Sequence, residues 1–154
     1  MRGFTKIEVL IVGIIALIII GIDVFVISYF NNKSRDIQIL SEISQIRSGL
    51  ETFLMANNFY PISESPVELN DDYAGTEKLC FEGFKKLSDP CQKVILSTVP
   101  NFFVNQGNIY KYKSTENNKN YQIEFTLQTN FKELGLKKGT NCANNLQIIT
   151  QPCF

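Results

Sequence analysis

The sequence predicts an α+β chain in which one long N-terminal helix packs on a small antiparallel β-sheet. Three observations carry that prediction. Residues 7–30 are almost wholly apolar, interrupted by Glu8, Asp23 and a few small or hydroxylated residues. Residues 37–54 keep apolar side chains at steps of three or four, the spacing of an amphipathic helix. After residue 108 the runs become aromatic and β-branched, with alternation across Tyr121, Ile123, Phe125 and Leu127, the pattern of half-buried strands.

The apolar run has roughly the twenty residues that a helix needs to cross hydrocarbon. A helix is the natural form there, because lipid satisfies no free backbone group. A secretory signal peptide would have a shorter apolar core and a small-residue cleavage site. Here the run ends in Tyr29-Phe30-Asn31-Asn32, so an uncleaved anchor is expected. Glu8 is the costly residue, since an ionised carboxylate in lipid needs a partner. Two readings stay open for it: a side chain reaching back to the headgroups, or one pairing with a positive group inside an assembly. Asp23 lies near the far side of the span, where it can reach the outer interface.

Beyond the span, Ile37, Leu40, Ile43, Ile46, Leu50, Phe53 and Leu54 form one stripe, with Arg35, Asp36, Glu42, Arg47 and Glu51 largely off it. No Gly-Pro punctuation separates Phe30 from Ser34, so span and stripe read as a single rod. Over residues 7–59 that rod would be on the order of 75–80 Å long. Pro61 should end it. Residues 61–75 hold Pro66, two serines and the acids Glu64, Glu68, Asp71 and Asp72. They read as a solvated loop, without the ordered spacing of a known calcium loop. Residues 78–87 are mixed, Ser88-Asp89-Pro90 reads as a turn, and residues 93–99 suit either a short helix or a strand. Ile109, Tyr110 and Tyr112 join the alternating run at 121–127 through Ser114-Thr115-Glu116-Asn117-Asn118-Lys119, a hairpin pattern. Residues 130–136 suit one helical turn, and residues 146–150 a third strand.

Composition narrows the function. The chain has 154 residues, about one domain's worth, and a formal net charge of +0. No basic field favours nucleic acid. Histidine is absent, which removes the commonest general acid/base and metal ligand. No nucleophile–base set or metal set is visible, so neither an enzyme nor a cofactor is expected. Arg2 and Lys6 before the span are balanced by Lys33 and Arg35 after it, so charge alone leaves orientation open. The four cysteines all follow the span, which suits an oxidising compartment and an outside folded part. Four cysteines allow three pairings, and the two local ones, Cys80 with Cys91 and Cys142 with Cys153, are favoured because each closes a small loop, each contributing about 2–4 kcal/mol. Zinc would want pairs two to four residues apart, and a redox pair close spacing with a lowered pKa.

One stretch carries a family likeness. Gly3-Phe4-Thr5-Lys6-Ile7-Glu8-Val9-Leu10, followed by an apolar helix, resembles the type III signal of type IV pilins and pseudopilins. That resemblance implies cleavage after Gly3 by the prepilin peptidase and methylation of the new terminus, Phe4, by the same enzyme. It implies that Glu8 neutralises the terminal amine of an adjacent subunit as subunits leave the membrane for a fibre. Residues 34–61, ending Asn57-Asn58-Phe59-Tyr60-Pro61, are similar to the amphipathic half of pilin helices, and residues 121–127 to one of their strands. Many pilins carry a proline late in the span, where this chain has Asp23-Val24-Phe25-Val26. The expected organisation is a leader at 1–3, a transmembrane and assembly half at 4–30, an amphipathic half at 31–60 and a globular part at 61–154. The implied partners are other copies or related pilins, the peptidase, the assembly machinery of a pilus or secretion system, and lipid before assembly. The implied location is a single-pass membrane protein with a cytoplasmic amino terminus, then an extracellular or periplasmic filament. A pseudopilin of a type II secretion or DNA-uptake system is the runner-up. A single-pass membrane-anchored binding domain is the rival of a different class.

Overall fold

The computed structural model describes residues 6–101 and 107–154, apart from the side chains of Val9 and residues 22–25. Helix α1 runs Lys6–Asn57, 52 residues, through a stretch that contains no proline. It ends where Asn58 turns left-handed (φ 61°) and donates its N–H to the Leu54 carbonyl at 2.7 Å. Asn is one of the few residues that takes this cap position at little cost. By contacts the chain forms two units, Met1–Arg35 and Asp36–Phe154. In the first unit every described side chain is exposed or half-buried, and those of residues 6–30 are all exposed.

The second unit is built on the rest of α1 and eight strands among the described residues. In chain order these are β1 (Val67–Glu68), β2 (Lys78–Cys80), β3 (Gly83–Lys85), β4 (Val94–Leu96), β5 (Lys111–Thr115), β6 (Asn120–Leu127), β7 (Gly139–Asn144) and β8 (Ile148–Ile149). Five of them make an antiparallel sheet in the order β1-β5-β6-β7-β8, and three make a second, β3-β2-β4. The architecture is α+β, a long helix on antiparallel sheets. Along β6 the inward residues Tyr121, Ile123, Phe125 and Leu127 are buried, while Thr126 is exposed and Gln122 and Glu124 are half-buried. In register with β6, Tyr112 of β5 opposes Ile123 and Ala143 of β7 opposes the same residue. These side chains close on Ile39, Ile43, Ile46, Leu50 and Phe53 of α1 in one core cluster.

The helical stripe differs from its sequence reading at the first turn. Ile39 is fully buried, whereas Ile37 is 54% exposed. Two residues along a helix is a rotation of about 200°, so only one of the pair can share a face with Ile43, and Ile39 does. The hairpin forms at β5–β6, its turn holding Glu116, Asn117 and Asn118 all at positive φ. Of the helix or strand expected within residues 93–99, the short strand β4 (Val94–Leu96) forms, and residues 78–87 contain the β2–β3 hairpin. Residues 130–136 supply one 3-10 turn at Lys132–Leu134, closed by Gly135 in the left-handed region (φ 69°). The expected third strand shrinks to β8, and the real neighbour of β6 is β7, whose small and polar residues give no strand signal.

Candidate functional site

The first functional element is the exposed apolar helix itself. Leu10, Ile14, Leu17, Ile18 and Val26 all stand exposed, and the helix is long and apolar enough to cross a membrane. A contiguous apolar surface of this length exceeds the few hundred Å² that soluble monomers leave uncovered. Each such side chain gains about 1.5–3 kcal/mol when taken out of water, so lipid or other protein is its stable surrounding. Glu8 lies in the first turn of α1 and is exposed. A carboxylate there is favoured by the helix dipole, by about 0.3–1 kcal/mol. Gly3 and Phe4 lie outside the described residues, as does the side chain of Asp23.

Besides the apolar core, the remainder of α1 makes a set of polar contacts with the rest of its unit that the sequence did not reveal. Asp36 is completely buried, and its carboxylate accepts from the Gln128 N–H at 2.9 Å and from both the Thr129 N–H and the Thr129 hydroxyl at 2.6 Å. Hydrogen bonds to a charged group contribute about 1.5–3 kcal/mol, and here they satisfy the backbone where β6 ends. Two turns on, Glu42 accepts from the Tyr110 hydroxyl at 2.7 Å, and near the helix end Glu51 accepts from Tyr60 at 2.9 Å. Tyr60 and Tyr121 meet edge to face at 4.8 Å, Tyr112 stacks beside Tyr121, and Phe84 meets Tyr112 at 5.2 Å. Burial raises all three phenols above their ordinary range. The Glu51 hydrogen bond adds to the effect at Tyr60, and Arg47 partly offsets it at Tyr121. In the sequence Asp36, Glu42 and Glu51 look only like members of a polar face. Their partners lie up to 93 residues away, beyond any local signal except the tyrosines themselves.

All four cysteines are paired, Cys80 with Cys91 and Cys142 with Cys153. The first bridge ties β2 to the loop before β4, and the second ties the C-terminal residues to β7. Glu82 stands near the first bridge, but both sulfurs are spent in the disulfide, so no thiolate is left to ligate a metal there. The Gln92 N–H donates to the Glu82 carboxylate and holds its pKa below the usual range. Buried Lys78 donates to the carbonyls of Leu87 and Asp89, fastening that loop. The acidic stretch is a loop around β1. Asp71 accepts from the Tyr73 N–H at 3.0 Å and Asp72 pairs with Lys86 at 3.2 Å.

At the end of α1 a cleft of about 360 Å³ opens between Phe53, Phe59, Ile62, Val67 and Phe84, with Glu82 on its wall. None of these side chains forms a nucleophile–base pair. Compared with known proteins, the chain matches no family model, no curated protein and no solved structure.

Proposed function

We propose that this chain is a structural subunit of a type IV pilus-like filament, processed by a prepilin peptidase and polymerised through its N-terminal helix. The observation that carries the reading is the uncovered apolar half of α1, with Glu8 in its first turn, on the same helix that anchors a disulfide-bonded α+β domain. Supporting it is the signal-like run Gly3-Phe4-Thr5-Lys6-Ile7-Glu8. On this reading the helix rests in lipid until the leader is cut after Gly3, then exchanges lipid for the helices of other copies. Apolar packing supplies the cohesion. The Glu8 carboxylate meets the freshly exposed amine of Phe4 on a neighbour, which neutralises both charges and sets axial register. The chain has no chemistry of its own in this scheme.

The Glu8→Ala variant tests it. Membrane insertion should be unchanged, because the substitution only makes the span more apolar, while filament yield should fall at least about tenfold, as expected when a charge pair worth over 1.4 kcal/mol is lost. Normal filaments from the variant would remove the register role. A pseudopilin of a secretion or DNA-uptake machine shares every one of these features and differs in where the polymer ends. Surface fibres seen by microscopy separate the two.

A further inference from the structure

The folded unit has two unlike ends. At one, the loop after β6 is pinned to the start of its helical segment, where Asp36 holds Gln128 and Thr129. That loop closes on itself through paired hydrogen bonds between Phe131 and Leu136, and its tip is Leu134, 61% exposed and followed by left-handed Gly135. Lys132, Lys137 and Lys138 lie in or next to the same loop, all exposed, against the single acid Glu133. At the other end, beyond the last turn of α1, lies the cleft lined by Phe53, Phe59, Ile62, Val67 and Phe84. Ile62 is 67% exposed at its mouth. The segment that builds this end, residues 61–86, carries Glu64, Glu68, Asp71, Asp72, Glu77 and Glu82 against buried Lys78 and against Lys85 and Lys86, which pair with Glu82 and Asp72, and so stays net acidic. The helical segment from Asp36 to Asn57 separates the two ends by about 30 Å.

We propose that the Leu134 tip of one copy seats in the Phe53–Phe59–Phe84 cleft of the next, with its lysines against the net acidic segment 61–86, chiefly the exposed acids Glu64 and Glu68. An exposed apolar tip with three lysines and one acid in its loop, and an apolar cleft built by a net acidic segment, at opposite ends of one unit, are complementary between copies. A contact of this kind is heterologous: the two surfaces differ, so each added copy exposes a fresh cleft or a fresh tip. Such contacts propagate as an open chain, with the charges steering the encounter and fixing which end meets which. The inference rests on the filament reading and names a second contact within it, made by the folded units independently of the apolar helices.

A photoreactive benzophenone side chain at position 134 of the full-length protein, irradiated in assembled material, tests it. The expected product is a crosslink between copies, mapped by mass spectrometry to residues 53–67 or 82–84 of the second chain. Polymer that forms normally but crosslinks elsewhere, within one chain, or to a different protein overturns the contact and leaves the filament reading standing. If the native protein forms no polymer, both fall. Charge reversal gives the second arm. Lys137→Glu combined with Lys138→Glu should lower polymer yield about tenfold by setting like charges face to face, with the circular dichroism of the folded unit unchanged, and Glu64→Lys should recover part of the loss. Full yield from the double variant would overturn the charge complementarity.

Discussion

Asp36 shows what a single buried charge does for this fold. Removed from water, its carboxylate would cost several kcal/mol if left alone. Surrounded by the Gln128 and Thr129 donors, it instead joins helix to sheet at a defined height. The tyrosines make a similar point for uncharged groups. Tyr60, Tyr112 and Tyr121 are held neutral by burial, with pKa values raised above the ordinary 10.0. The sign of the linkage follows directly. Below pH 10 the phenols are protonated in both states and stability does not depend on them. Above it, the unfolded chain ionises while the folded one resists, so stability is lost as pH rises. The denaturant midpoint of the folded protein should therefore hold steady up to about pH 10 and then fall, and buried phenolate absorbance should appear together with loss of structure. Phenolate absorbance rising fully while the fold stays intact would contradict this account of the tyrosine cluster.

Among the elements, α1 and the β5–β6 hairpin were legible in the sequence because their signals are local. Ile43, Ile46, Leu50 and Phe53 repeat at helical spacing, and Tyr121, Ile123, Phe125 and Leu127 alternate. β7 was not legible. Gly139, Asn141 and Asn144 are of types depleted from strands, and the strand exists through its pairing with β6, from Gln122 opposite Asn144 to Leu127 opposite Gly139. The second sheet was hidden for a related reason, since each of its strands is three residues long. Its docking depends on Gly49, where an added Cβ would lie 2.6 Å from one Leu96 methyl carbon and 2.8 Å from its Cγ. Gly49→Ala gains about 1 kcal/mol in helix propensity, but the overlap must displace the Leu96 side chain from its packing, at about 1–3 kcal/mol. The net effect should be destabilising by about 1 kcal/mol. It should shrink or reverse in a Leu96→Ala background, where propensity alone remains. Denaturant unfolding of the four proteins of that cycle measures the coupling, and additivity would deny the close approach.

For the whole molecule, the candidate site was legible only in part. The expense of Glu8 in an apolar segment could be read from residue types alone, whereas its proposed partner belongs to another copy and leaves no trace along one chain. The disulfides were readable from spacing, because each closes a short local loop. The tip and cleft were not, because the Leu134 turn and the Phe53–Phe84 wall come from segments whose proximity only the fold decides. Together these features describe a chain with one end suited to lipid or to a bundle of like helices, and a folded unit with unlike, complementary ends. The most direct check of the filament account is the intact mass of native protein recovered from sheared polymer. The account predicts a chain that lacks residues 1–3 and carries one methyl group on Phe4. Full-length protein starting at Met1, found only as single copies in the membrane, would contradict it.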